Sequence, residues 1–580
     1  MNSNSVQRIR ILLGIVVFAA LVLITKLYFV QIVHGDLYSS KADRQYVKPN
    51  TVLFDRGTIF FQKRDGSEVA AASVKDGFTL ALVPKLIKDP QAAYQAVSKI
   101  ITGVGGSGSA AVVLDKTSFI AKASKANDPY EEISKKIDHD TGTAIGALNI
   151  PGVQVFKDTW RIYPGNSTAA QTIGLVGFKG DEVAGRYGLE RYYEDVLKRS
   201  VSSLNINFFA ELFADIKNTV FKTQALEGDV VTSIEPSVEG YLEKSLADTQ
   251  AKWQSDSIGG IIMNPTTGAI YAMASLPTFN PNDVSKVKDP KVFSNPLVEN
   301  NYEMGSIMKP LTMAAGLDSG AITADSTYDD KGFLVLDGRR IENFDGKARG
   351  VIPMQEVLSQ SLNVGAAYIE NKTGMQTFSK YFLSYGLGSL TGIDQPNEQK
   401  GIVTNLNSKR EIEHATAAYG QGIAMTPIET VRALSVLANG GKLLRPHIAQ
   451  KIEYDLGTSQ TIDGGAPVQV LKQETADEVT RMLVTVVDKA LKKGAVKMEH
   501  YSIAAKTGTA QIADPANGGY YKDRYLHSFF GYFPAYKPEF IVFLYHVYPK
   551  NVQYASETLT DPFIDIAKFL ISYYEIPPDR

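Results

Sequence analysis

The feature that most limits what this chain can become is the stretch from Ile11 to Val33, ILLGIVVFAALVLITKLYFVQIV, 23 residues whose one charge is Lys26. A helix needs about 20 apolar residues to cross the hydrocarbon core of a bilayer, where its backbone polar groups can be satisfied only internally. Lys26 lies toward the far end, where its alkyl stem can snorkel to the interface. Arg8 and Arg10 precede the run, and the positive-inside bias then places residues 1–10 in the cytoplasm. Leu27-Tyr28-Phe29-Val30 is too bulky for a signal-peptidase site. The run therefore reads as an uncleaved transmembrane anchor at 11–33, with the rest of the chain outside the membrane.

Length and composition narrow the remainder. A chain of 580 residues exceeds one compact core, so two or three extracytoplasmic domains are expected. Lys and Arg (60) nearly balance Asp and Glu (62), leaving a formal charge of −2 and no cationic excess for nucleic acid. Cysteine is absent, which excludes disulfides, thiolate metal sites and thiol nucleophiles. The seven histidines (34, 139, 414, 447, 500, 527 and 546) are scattered without ligand spacing, so neither a metal nor a cofactor is expected.

Residues 40–225 form a mixed region without a catalytic cluster. Val47–Phe61 and Phe78–Val83 carry strand-like Val, Thr and Phe. The Gly/Ser cluster at 103–109 lacks the Gly-Lys-Ser/Thr of a phosphate loop and reads as a turn. Asn205–Lys222 carries Phe208, Phe209, Leu212, Phe213, Ile216 and Val220 at helical spacing, a buried face or a membrane-proximal or partner-binding helix. The pattern changes near Glu227-Gly228-Asp229. From residue 229 to about 575, strand-like segments at both ends enclose helical ones, which implies a sheet covered by helices and fed from both termini.

Gly305-Ser306-Ile307-Met308-Lys309-Pro310 opens one of those apolar helices. Ser306 and Lys309 fall on one helix face, so the amine can reach the hydroxyl, and the helix N-terminus favours a developing alkoxide. Desolvation near another cation would lower the Lys pKa toward the neutral base such chemistry needs. A bare S-x-x-K should arise about twice by chance in a chain this long, and Ser285-Lys286-Val287-Lys288 is a decoy in a charged stretch. Two further motifs strengthen Ser306. Ser361-Leu362-Asn363 begins a helical run, and Lys506-Thr507-Gly508-Thr509 lies in a strand-like segment. Decoys exist for both, Ser203-Leu204-Asn205 and the helix-closing Lys372-Thr373-Gly374.

These three motifs, in this order, resemble those of the penicillin-binding proteins and serine β-lactamases. Ala272-Met273-Ala274-Ser275, Gly420-Gln421-Gly422 and Asn439-Gly440-Gly441 resemble further landmarks of the transpeptidase domain. Arg56-Gly57-Thr58 and Gly188-Leu189-Glu190 resemble the non-catalytic pedestal of the class B members. The resemblance implies an α+β multidomain chain: the anchor, a pedestal (dimerisation-like) domain at 40–225, and a transpeptidase domain at 229–575 with an antiparallel sheet covered by helices. It implies peptidoglycan D,D-transpeptidation on D-Ala-D-Ala stem peptides derived from lipid II, and acylation by β-lactam antibiotics. Ser306 would be the nucleophile, Lys309 its base, Ser361 a proton relay helped by Lys506, and Asn363 an orienting group. Thr507, Gly508 and Thr509 would bind substrate, with Gly508 where the substrate backbone passes closely. The N–H groups of Ser306 and Thr509 would form the oxyanion hole.

Met304 and Ala505 stand where the family often has Pro and Gly, and Phe60-Phe61-Gln62-Lys63 departs from the usual pedestal signature. A D,D-carboxypeptidase and a β-lactamase share the fold, although no water-activating group is identifiable by spacing. A non-catalytic β-lactam sensor or divisome scaffold is the alternative of another class, and the intact Ser/Lys/Ser/Asn/Lys set argues against it. The layout is slightly closer to division-type members, which would imply a membrane-embedded glycosyltransferase as partner.

Overall fold

The computed structural model describes Leu23 and residues 54–580, apart from 104–113, 126, 181, 200–226 and 456. The apolar run Ile11–Val33 (Leu23 excepted), the Asn205–Lys222 stripe, Ser203-Leu204-Asn205 and most of the Gly/Ser cluster lie outside the described residues. Among the described residues no helix is long and apolar enough to cross a membrane.

The chain forms two compact units that do not follow sequence order. In the described part of the smaller, Val74–Trp160, the strand ending at Leu82 pairs antiparallel with Glu131–Asp138, Phe78 opposite Ile137. Helices Pro90–Gly103 and His139–Ala147 cover it through Leu80, Val97, Ile137 and Ile145.

The larger unit comprises 56–73, 161–199 and 216–580. Here β1 (Ile59–Gln62) runs parallel to β2 (Gly228–Thr232), so residues far apart in sequence share one sheet. Helix α1 (Pro236–Trp253) follows, capped by the Glu235 carboxylate on the Val238 N–H. Strands β3 (Ser257–Met263) and β4 (Ile270–Leu276) form a hairpin around the turn at Asn264–Gly268. Helices α2 (Lys309–Asp318), α3 (Asn363–Thr373), α4 (Pro427–Ala438) and α5 (Gln473–Thr485) intervene. The chain then returns as β5 (Ala504–Ala513), β6 (Tyr520–Phe533), β7 (Phe540–Val547) and α6 (Thr560–Tyr574).

These strands make a five-stranded antiparallel sheet in the order β5-β6-β7-β3-β4, as the resemblance implies. Period-2 alternation sorts each strand between two apolar layers. Ile258, Ile262, Phe529, Phe533, Val542 and Leu544 pack with residues of α1 and α6. Ile261, Met263, Phe530, Tyr532, Ile541 and Phe543 join the core containing α2, α4 and α5. Both faces are covered, so the strands read as continuous apolar runs. Helix α5 ends at Thr485 and gives way to a π-helical turn, Val486–Ala490.

The pedestal landmarks meet around one buried carboxylate. Glu190 accepts from Arg56 Nε and Arg161 Nε, each at 2.6 Å, and from the Tyr163 hydroxyl at 3.2 Å. Arg56 also donates to Glu194 at 2.7 Å, and Arg161 to the Gly57 carbonyl at 2.7 Å. Burial alone would raise the Glu190 pKa, yet Arg161 and Arg56 outweigh it and hold the carboxyl below its usual value. Removing one partner leaves buried charge unmatched, so Glu190→Ala should cost about 3–5 kcal/mol in urea unfolding. A loss under about 1 kcal/mol would contradict a structural role for this network.

Candidate active site

Local backbone chemistry sets the position of Ser306. Ser306 sits not inside the helix but in a 3₁₀ turn, Gly305–Met308, that runs into α2 at Lys309. Side chains three apart eclipse in a 3₁₀ turn, which brings the two groups together more directly than the expected α-helical face. Lys309 Nζ lies 3.0 Å from Ser306 Oγ. Gly305 has φ +66°, a region that disfavours any residue with a Cβ. A Cβ there would also stand 3.0 Å from the Thr509 carbonyl. That close approach puts the backbone after Gly305 against the edge strand β5.

Ser361 and Asn363 enter at the start of α3. Ser361 has φ +55°, an uncommon conformation for a non-glycine residue. Its carbonyl accepts from Lys309 Nζ at 2.6 Å, and its hydroxyl lies 3.3 Å from that amine. The same hydroxyl accepts from Lys506 Nζ at 2.9 Å. Asn363 Oδ1 accepts from Lys309 Nζ at 2.9 Å, while its Nδ2 donates to the Glu342 carbonyl at 3.0 Å. Five predicted residues thus form one connected network: Ser306, Lys309, Ser361, Asn363 and Lys506.

The electrostatics are those of two amines without a carboxylate. Lys309 is 1% exposed and Lys506 2%, and neither forms an ion pair among the described residues. Burial pushes Lys309 well below its usual value, and the Lys506 charge adds to the effect. Burial also lowers Lys506, to about 7. A neutral Lys309 has two N–H donors and one lone pair. The Ser361 carbonyl and Asn363 Oδ1 can take the donors, leaving the lone pair for the Ser306 hydroxyl.

The network lies along a cleft of about 840 Å³. Thr507, Thr509 and Gln511 line it from alternate positions of β5, and Ser306, Ser361 and Lys506 line it as well. Gly508 differs from expectation in its reason for being glycine. A Cβ there would meet Ser528 Oγ at 2.3 Å and the Met304 carbonyl at 2.6 Å, so the close neighbour is the turn before Ser306. The decoys fall elsewhere: Val284–Lys286 is a surface 3₁₀ turn with Lys286 paired to Asp283, and Thr373 ends α3 with Gly374 at φ +81°. His527 is buried, held between Thr558 Oγ1 (2.9 Å) and the Gln553 carbonyl (3.0 Å).

Supporting residues carry no motif. Asn343 Oδ1 accepts from the Val364 N–H at 3.2 Å, and its amide donates to the fully buried Asp330 at 2.9 and 3.0 Å, fixing the start of α3. Their signal is one of contact between distant positions, which a single sequence does not display.

Comparison with known proteins agrees with this arrangement. Residues 258–568 match the penicillin-binding protein transpeptidase domain and residues 54–232 the penicillin-binding protein dimerisation domain. Stage V sporulation protein D of Bacillus subtilis (strain 168) is 31% identical over 570 residues, covering 96% of this chain and 83% of that protein. Peptidoglycan D,D-transpeptidase FtsI of Buchnera aphidicola subsp. Schizaphis graminum (strain Sg) is 25% identical over 577 residues, covering 97% and 95%. The crystal structure of penicillin binding protein 2X from Streptococcus thermophilus shares the fold, with a TM-score of 0.72 at 19% identity over 91% of this chain and 81% of that one. Fold and site define a serine acyl-transferase. The chain belongs to the penicillin-binding proteins, in the class B arrangement of a dimerisation domain followed by a transpeptidase domain.

Between about pH 7 and the unfolded lysine value near 10.4, folded Lys506 is neutral while the unfolded chain carries it charged. The unfolded chain then binds more protons, so stability rises with pH across that window. Lys506→Met should remove about 1.4 kcal/mol of that rise per pH unit, read by denaturant unfolding at about pH 7.5 and 9.5. Equal pH dependence in both proteins would contradict a buried neutral amine.

Proposed function

We propose that this chain is a peptidoglycan D,D-transpeptidase that cross-links stem peptides through an acyl-enzyme on Ser306. The observation that carries the reading is the approach of the buried, carboxylate-free Lys309 amine to the Ser306 hydroxyl, at 3.0 Å. Relatives named as peptidoglycan D,D-transpeptidases support it, as does a similar Mycobacterium penicillin binding protein 3 solved in complex with ampicillin.

In this reading the Ser306 proton passes to Lys309 as Oγ attacks the carbonyl carbon of the penultimate D-Ala. The oxyanion is met by the N–H groups of Ser306 and Thr509. As the C–N bond breaks, the leaving amine takes a proton through Ser361, whose hydroxyl bridges Lys309 and Lys506. Terminal D-Ala departs and the donor peptide remains esterified to Ser306. The amine of a second stem peptide then attacks the ester carbonyl and loses a proton to Lys309, which passes it to Ser306 Oγ as the C–O bond breaks and the cross-linked peptide leaves. Thr507, Thr509 and the Lys506 charge hold the substrate carboxylate, with Gly508 keeping the strand close to the nucleophile turn. β-Lactams would acylate Ser306 by the same first step.

The same reading assigns a cytoplasmic segment to 1–10, an anchor to 11–33, a pedestal to 40–225 and a transpeptidase domain to 229–575, on the outer face of the cell membrane. The chain's layout, slightly closer to division-type members, extends the proposal to work at the division septum beside a membrane-embedded glycosyltransferase.

The purified chain should label stably with a fluorescent penicillin, and Ser306→Ala should abolish labelling. Rapid drug turnover would instead indicate a β-lactamase. The acylation rate should be bell-shaped in pH, falling in acid as Lys309 gains a proton and falling above about pH 7 as Lys506 loses one. A rate that climbs steadily to pH 10 would show that Lys506 does not act as a cation in acylation.

A further inference from the structure

Strands β5 and β6 project beyond the sheet as a two-stranded ribbon, with the turn Asp514–Gly519 at its tip and Ala513 paired with Tyr520. The ribbon carries cleft-lining Gln511 on its inner edge. Most hydrogen bonds at the tip are internal. Asp514 accepts from Ala516 and Asn517, and Gln511 donates to the Tyr521 carbonyl. The Tyr520 hydroxyl is the exception, for it donates to both carboxylate oxygens of Glu303 at 3.0 Å.

Glu303 stands three residues before the nucleophile, on a segment pinned from two other sides. Tyr302 and Met425 exchange backbone hydrogen bonds at 2.9 and 3.0 Å, and the Gly305 N–H donates to the Gly420 carbonyl at 3.0 Å. On the opposite side the Ser528 hydroxyl of β6 donates to the Met304 carbonyl at 2.7 Å. The Gly422 N–H favours the ionised form of both the Glu303 carboxyl and the Tyr520 phenol, which brings the Gly420–Gly422 turn to bear on the same pair. Burial raises the Glu303 pKa, and burial with the Glu303 charge raises that of Tyr520, so the phenol remains the donor at neutral pH.

We infer that Glu303 is a positioning residue that straps the projecting ribbon to the turn carrying Ser306, so that the N–H groups of Ser306 and Thr509 keep the spacing acyl transfer requires. The inference rests on the acyl-enzyme reading of Ser306 and deepens it. Without the strap the fold stands, because the sheet, the Gly420 contact and the Ser528 contact remain. What loosens is the ribbon, and with it the upper wall of the cleft. Displacement of a reacting geometry by about 1 Å can cost up to a hundredfold in rate.

The test follows penicillin acylation of the full chain over a range of drug concentrations, separating the limiting acylation rate from the half-saturating concentration. Tyr520→Phe and Glu303→Ala should lower the limiting rate roughly tenfold with little change in Tm. Glu303→Gln, whose amide oxygen still accepts from Tyr520, should restore most of the rate. If Glu303→Ala does not fold, Tyr520→Phe, on the exposed ribbon, still decides the matter. A Tyr520→Phe protein that acylates at the wild-type rate overturns the strap, as does a rate loss that Glu303→Gln fails to rescue. Ser306→Ala separates the two readings: unlabelled Ser306→Ala beside fully active Tyr520→Phe sinks the strap alone, whereas an unlabelled wild type sinks the acyl-enzyme reading with it.

Discussion

An amine buried without an opposing carboxylate governs this site. Taking an ammonium out of water costs several kcal/mol unless it is paired, and the usual escape is to shed the proton. Lys309 is given two neutral acceptors, the Ser361 carbonyl and Asn363 Oδ1, which satisfy an amine without stabilising a cation as a carboxylate would. The charge that acts on it is the like charge of Lys506, which pushes in the same direction as burial. The arrangement therefore yields a lone pair at the Ser306 hydroxyl, and no histidine or aspartate is needed to create it.

Holding that amine in place requires three chain segments to meet at close range, and small residues make the contacts possible. A Cβ on Gly420 would stand 2.2 Å from the Gly305 carbonyl, and one on Gly508 would collide with Met304 and Ser528. The Ser306 turn is thus pressed between the Gly420 turn and the edge strand. The positive φ of Ser361 aims both its carbonyl and its hydroxyl at the two lysines, a conformation retained because Asn343 and Asp330 fix the helix that follows.

How much of this is legible in the sequence depends on the range of the interaction. Ser306 and Lys309 are local, and their spacing alone places them together. Apolar runs at 257–263, 526–533 and 540–547 announce a sheet covered on both faces, because alternation has no solvent side to display. Ser361 and Lys506 are legible only as members of an ordered set of motifs, since nothing in Ser-Leu-Asn by itself predicts a left-handed serine. Glu303, Tyr520, Asn343 and Asp330 give no local signal, for each acts through a partner distant in the chain. The reason for Gly508 escapes the sequence on the same ground: its crowding neighbour is Met304, far back in the chain, and only packing reveals it.

Two of the buried charge systems of the larger unit, around Glu190 and around Lys309, show how surroundings decide what a buried charge does. Glu190 is wholly buried yet ionised, because two guanidiniums surround it and a hydroxyl completes the shell. Matched in this way, the group cannot readily exchange a proton in the working pH range, and its contribution is to hold distant segments together. Lys309 is equally buried and left without an opposing carboxylate, so burial and the Lys506 charge both disfavour its protonated form. Burial alone does not separate them. The sign and number of the charges placed around each group do: two guanidiniums favour the ionised Glu190 carboxyl, while burial beside the Lys506 charge disfavours the protonated Lys309 amine.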